Sequence, residues 1–158
     1  MVVVGPGAFP GPLRLPEGNP VMSSRIVDGL RQAAAWLADE KKPEQDLVVR
    51  GRDAWPLVPL LRCWGVPRVK YFLWSRLQAE DPATHARWRA EVRPGALVVD
   101  TGYWGRILNA IRYTADRSIR GVLMASRGGY EQIPLNGLGH SAIVNGLEHT
   151  PKRIPRCV

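Results

Sequence analysis

The sequence predicts an α/β domain in three layers, with helices on both faces of a mainly parallel sheet. Three observations carry this reading. Short apolar runs alternate along the chain with stretches of helical periodicity. The runs are apolar almost throughout, as strands covered on both faces are. Clusters of Gly, Pro and Asp separate the two kinds of segment. A chain of 158 residues suits one such domain with one sizeable core.

Residues 1–22 form an extended arm: Pro stands at positions 6, 10, 12, 16 and 20 with Gly between, and neither helix nor paired strand tolerates that density. The α/β domain takes up 23–158. Ser23 and Ser24 are candidate N-caps for a first helix. Ile26, Val27, Leu30, Ala33, Ala34 and Leu37 then recur at helical spacing, and Pro43 stops the helix. Asp46 to Arg50 (DLVVR) is the first strand. After the turn Gly51-Arg52-Asp53, residues 54–64 read as a helix with a kinked, Pro-bearing start and with Cys63 in its core face. Val69 to Trp74 (VKYFLW) is the second strand. The polar stretch 75–93 is expected to be a mobile flap or an inserted helix over Ala83 to Val92. Ala96 to Asp100 (ALVVD) is the third strand, Thr101 to Arg106 (TGYWGR) a loop, Ile107 to Ala115 a helix and Arg120 to Ser126 (RGVLMAS) the fourth strand. Beyond it a short helix over 141–147 is expected. The alternation as a whole is that of a Rossmann-like sheet.

Composition narrows the function classes. The charged fraction of 23% and hydrophobic fraction of 45% are those of a globular protein. The formal charge of +8, from 22 Lys and Arg against 14 Asp and Glu, favours anionic partners: phosphate esters, nucleic acid or an acidic surface. No stretch has the ~18 uncharged apolar residues of a membrane span. The opening lacks a basic start, so a signal peptide is not expected and a cytoplasmic location is. Cys63 and Cys157 fit no metal or disulfide spacing. There is no GxSxG, Walker A loop, GxGxxG or HExxH.

Two strand-loop-helix units are candidates for chemistry. The first is D46-L-V-V-R-G-R-D-A-W-P-L. In an open α/β sheet ligands sit beyond the carboxyl ends of the strands, where helix N-termini offer unpaired N–H groups. Arg50 and Arg52 bring guanidinium groups suited to phosphate, and Gly51 makes the turn. Asp53 can cap the helix, orient an arginine or hold a metal. The second unit is A96-L-V-V-D-T-G-Y-W-G-R-I-L-N-A-I. Asp100 lies at the strand tip, beside a sugar hydroxyl or a metal in a ligand-binding reading. Thr101 can donate a hydroxyl hydrogen bond, and Gly102 and Gly105 allow close backbone approach. Tyr103 and Trp104 can stack on a base, and Arg106 adds a cation. Each loop also reads as an ordinary turn, and the pair in this order says more than either alone.

The order of these units resembles the core of type I phosphoribosyltransferases. R50-G-R-D-A-W-P-L stands where that family has its pyrophosphate loop, 75–93 where it has its flap, and V98-V-D-T-G-Y-W-G-R where it grips the 5-phosphate of phosphoribosyl pyrophosphate. The resemblance covers residues 24–126. It implies a phosphoribosyltransferase-like fold that binds a phosphorylated sugar or nucleotide at the C-terminal edge of the strands. In an active member a phosphoribosyl group is transferred, with magnesium bridging the pyrophosphate. Arg52 would then hold the pyrophosphate, Asp100 would be the catalytic carboxylate facing ribose or metal, and Thr101 to Arg106 would hold the 5-phosphate. The family shows two adjacent acids where this chain has Asp100 and Thr101, and its loop lacks rings such as Tyr103 and Trp104. Those departures resemble phosphoribosyltransferase-like domains found beside other enzyme modules, in which binding is expected before catalysis.

Two other readings belong to different classes. One is a basic nucleic-acid-binding module using exposed aromatics, for which Trp88 and Trp104 are the candidates because their surroundings are polar. The other is a subunit of an assembly, including a homo-oligomer, threaded by the Pro-rich arm. Arg127-Gly128-Gly129 after the fourth strand is a third anion contact at the same sheet edge. His85, His140 and His149 have no partner at metal-ligand spacing and are assigned structural or solvated roles.

Overall fold

The computed structural model describes residues 24–74, 78–136, 140, 143, 144 and 147. The arm at 1–22 and most of the segment expected to be helical at 141–147 lie outside these. Helix α1 (Ser24–Glu40) leads into strand β1 (Leu47–Arg50), a 3-10 turn (Arg52–Ala54) and helix α2 (Leu57–Cys63). Strand β2 (Val69–Phe72), a second 3-10 turn (Gln78–Glu80) and helix α3 (Pro82–Glu91) follow. The chain then runs through strand β3 (Leu97–Tyr103), helix α4 (Arg106–Thr114) and strand β4 (Arg120–Ser126). The four strands form one parallel sheet in the order β2-β1-β3-β4.

The strands' side chains alternate between two cores. Leu47, Val49, Leu97, Val99, Val122 and Met124 pack with Leu30, Ala33, Ala34 and Leu37 of α1 and Leu57, Leu60 and Leu61 of α2. Val48, Val98 and Leu123 pack on the other face with Trp88 of α3 and Ile107, Leu108 and Ile111 of α4. The expected three-layer α/β architecture is therefore observed, and the fully apolar strands are those that a sheet covered twice requires. No helix among the described residues is long and apolar enough to cross a membrane.

Local chemistry explains the element ends. Pro59 falls in the first turn of α2, where a backbone N–H has no helical partner to lose, so the helix accommodates it. Gly65, at a φ of 73°, ends α2, with Gly65 N–H donating to Arg62 and Val66 N–H to Leu61. Asp81 caps α3 by accepting from the Ala83 N–H at 2.9 Å, with Pro82 at the first helical position.

Four departures from the sequence reading concern strand ends and the burial of single side chains. β2 ends at Phe72 rather than Trp74, because β1, its only neighbour among the described residues, ends opposite it at Arg50. β3 runs on to Tyr103 rather than stopping at Asp100, because β4 is long enough to pair with Gly102 and Tyr103. Cys63 is exposed: Leu57, Leu60, Leu61 and Trp64 define the buried face of α2, and Cys63 lies off it. Trp88 is fully buried instead of being offered to a base. It meets Trp74 edge-on at 5.4 Å, and Trp74 stacks on Phe72 at 4.4 Å. The polar stretch expected to be a flap or inserted helix therefore contains a docked helix, α3, anchored by one ring. Its other residues are mostly solvated, which is why its composition reads as surface.

At the opposite end of the sheet Asp46 is buried and ion-paired with Arg68 at 2.7 Å and Lys70 at 2.9 Å. Burial pushes its carboxyl up, but hydrogen bonds from Lys70 and Arg68 outweigh that and hold it below the usual range. A carboxyl whose folded pKa is depressed stabilises above its unfolded value and loses that contribution as pH falls.

Two predictions test this core. Trp88→Ala should cost about 3–5 kcal/mol in urea unfolding, whereas Trp104→Ala, at a half-exposed ring, should cost under about 1 kcal/mol. Asp46→Asn should flatten the fall in stability seen as pH drops below about 4, the unfolded carboxyl value. Unfolding midpoints measured across that range in both proteins check the slope.

Candidate functional site

The winding of the chain reverses between β1 and β3. From β1 it passes outward to β2, crosses back to β3, and then continues outward to β4 on the other side. Such a reversal leaves a crevice between the carboxyl ends of the two central strands, because their following loops turn in opposite directions. Both candidate units end at this crevice. A cleft of about 170 Å³ there is lined by Arg50, Asp53, Asp100, Thr101, Gly102, Tyr103, Trp104, Gly105, Arg106 and Ile107. Residues 50 apart in sequence thus face one space.

Arg50 and Asp100 form the floor. Arg50 Nη1 donates to Asp100 Oδ2 at 2.7 Å, with side chains only 13% and 7% exposed. Arg50 Nε donates to the Trp74 carbonyl at 3.0 Å, and Nη2 donates to the same oxygen. Asp100 Oδ1 accepts from the Thr101 N–H at 2.7 Å and lies 3.5 Å from its hydroxyl. Burial pushes the Asp100 carboxyl up, and Arg50 and the Thr101 N–H pull it back only in part. Arg50 therefore ties β1, β3 and the segment after β2 together, and each of its guanidinium nitrogens is engaged.

The wall opposite is the start of α4. Its N-cap is Gly105 at a φ of 71°, which offers no side chain to the first-turn N–H groups. Glycine is needed there twice over, for the positive φ and because a Cβ would come within 2.4 Å of the Tyr130 ring. At Gly102 a Cβ would meet the Ala125 carbonyl oxygen at 2.5 Å, so only glycine lets β3 and β4 close at this point. Arg106 is exposed at the cleft edge. A helix N-terminus without a side-chain cap, beside an exposed arginine, is an arrangement that accepts an anion.

The remaining candidates sit around this centre. Gly51, at a φ of 91°, is buried beside Asp100: a Cβ there would lie 3.4 Å from Oδ1. Arg52 is exposed in the 3-10 turn and does not line the cleft, while Asp53 of the same turn does. Tyr103 is covered by Arg127, whose guanidinium carbon lies 4.3 Å from the ring centre, and Trp104 is 53% exposed. Arg127, expected as a third anion contact, is thus stacked on the last residue of β3.

Sequence reasoning missed two residues here. The Tyr71 hydroxyl donates to the Gly51 carbonyl at 3.3 Å, and burial pushes it up to about 12, against the pull of Arg52. Tyr130 fills the space above Gly105 and Gly121, and its hydroxyl donates to Asn109 at 3.1 Å. Neither follows from spacing, because each acts through a neighbour brought close only by folding.

The cleft makes no metal site of its own. Among the described residues no group of three or more His, Cys, Asp or Glu could hold a metal ion. Asp100 has already committed one oxygen to Arg50 and the other to Thr101. The side chains present do not fit magnesium as a protein-held ion.

Removing one partner of the buried pair isolates the other. Asp100→Asn should cost about 3 kcal/mol by leaving the Arg50 charge without its anion. The double variant with Arg50→Gln should recover part of that loss. Unfolding free energies of the single and double variants form the cycle that measures it.

No protein-family model matches the chain, and no curated protein and no solved structure matches it.

Proposed function

We propose that the protein binds a phosphorylated sugar or nucleotide in the strand-tip cleft, as a phosphoribosyltransferase-like domain, with phosphoribosyl transfer as the reaction such a site would serve. The observation that supports this best is the convergence of the β1 and β3 tips and the glycine-capped start of α4 on one cleft. In this reading the phosphoryl group takes the first-turn N–H groups of α4 and the Arg106 guanidinium. Thr101 donates its hydroxyl, and Trp104 offers a ring to a base. Asp100 faces the sugar, which makes it the candidate catalytic carboxylate. Arg50 is a positioning residue: it fixes Asp100 and leaves ligand contact to others.

Size favours a phosphoryl group and part of a sugar. The cleft, about 170 Å³, is smaller than the roughly 300–1,000 Å³ that encloses a drug-sized ligand. A base would extend past the rim toward Trp104. Magnesium belongs to this reading only as a companion of the ligand's own phosphates. Any transfer would draw on positioning and on stabilising the charge of a departing pyrophosphate.

Thermal unfolding tests the proposal. Phosphoribosyl pyrophosphate, ribose 5-phosphate and plain pyrophosphate are each added with and without magnesium. A ligand at about 100 times its dissociation constant contributes about 2.7 kcal/mol, a rise of several degrees for a chain of this length. The rise is expected with the sugar phosphates and should vanish in Arg106→Ala, whose own midpoint should stay close to that of the parent. A flat response to all three ligands would sink the reading. Transfer to a base, assayed by pyrophosphate release, separates an active site from a binding site.

A further inference from the structure

A second basic surface lies outside the cleft. Along α4 a groove of about 580 Å³ is lined by Arg106, Asn109, Ala110, Arg112, Tyr113 and Arg117. A neighbouring groove of about 470 Å³ shares Arg112 and Arg117 and continues toward Tyr130 and Glu131. Together they make one track that starts at the cleft's Arg106 and runs past the end of the helix.

The arginines of this track are not ion-paired. Arg106, Arg112 and Arg117 make no salt bridge with any described residue, and the Arg112 Nε is buried with no hydrogen-bond partner among them. Arg120 shows the contrast: it is held by Glu131 at 2.5 Å and Glu40 at 2.7 Å. Of the acids near the track, Glu131 is ion-paired with Arg120, while Asp116, hydrogen-bonded by Ser118, keeps its charge and offsets part of the track's.

An exposed ring stands among these cations. Tyr113 is 78% exposed, and the Arg117 guanidinium carbon sits 5.9 Å from its ring centre. A ring this exposed keeps most of its surface for stacking on a flat partner, and the flanking arginines suit phosphates. Arg106 to Tyr113 rises about 10 Å at about 1.5 Å per residue. That is the rise of about three nucleotides stacked as in a duplex strand, at about 3.4 Å each. An acidic peptide would satisfy the arginines but would leave the ring without a role.

We propose that the α4 face binds single-stranded nucleic acid, with Tyr113 stacking a base and Arg112 and Arg117 pairing with the phosphates on either side. This stands apart from the strand-tip reading, and Arg106, which touches both sites, is left out of its test.

The test is fluorescence anisotropy of the full chain with labelled oligouridylate, oligothymidylate and a duplex of equal length, at about 50 and about 200 mM salt. With Arg106 as the third, three phosphate contacts on a single strand give a log–log salt slope of about −2, or about 16-fold weaker binding across that range. Tyr113→Ala should weaken single-strand binding about tenfold, with its unfolding midpoint unchanged because the ring is exposed. Arg112→Ala with Arg117→Ala should flatten the slope by about 1.4. Arg89→Ala on the exposed side of α3 should change nothing. Tighter binding of oligouridylate or of oligothymidylate tells whether RNA or DNA is preferred, and either supports the proposal. Three results would overturn it: no binding at the lower salt, duplex bound as tightly as the single strands, or Tyr113→Ala binding like the parent.

Discussion

Arg50 and Asp100 bridge the tips of the two central strands at the point where the chain reverses its winding. A charge so little exposed is tolerated only when its partners are complete. Here they are: Asp100 and the Trp74 carbonyl take the guanidinium, and Arg50 and Thr101 take the carboxylate. The pair sits where β1 ends and where β3 approaches the cleft, and it reaches the segment that follows β2. Trp74, held by its carbonyl on one side, presents its ring to Phe72 and Trp88 on the other. The floor of the cleft and the anchor of α3 are thereby parts of one structure.

Electrostatics divides the molecule along the same lines. At one end of the sheet Asp46 is clamped by Arg68 and Lys70, and beside β4 Arg120 is clamped by Glu40 and Glu131. These bridges serve the fold, since they join segments distant in sequence. The arginines of α4 have no such partners among the described residues. Among the described residues, part of the basic charge is held in these bridges, while Arg106 and Arg112 lie along one helix next to the cleft without an ion pair.

Legibility followed the strength of the local signal. All four strands were readable because a parallel strand covered on both faces is apolar throughout, and β4 came out as Arg120 to Ser126 in both readings. The start of α4 was readable to within a residue, because Gly105 precedes an amphipathic run. The far end of β3 was not, since its last residues are strand only because β4 reaches them. Trp88 was misread for a similar reason. A single ring on an otherwise polar helix carries no periodic signal, and the space that receives it is built by Trp74, Val98 and Ile111.

What the sequence by itself determined is the α/β alternation, the loops that follow the strands and the residue types those loops carry, because these depend on neighbours along the chain. Tertiary structure alone decided the strand order. It thereby brought Arg50 against Asp100 across 50 residues and left Tyr113 exposed beside Arg117. The physical reason is that strand order and ion pairing are settled by which apolar faces cover one another, and no spacing within a single segment encodes that choice.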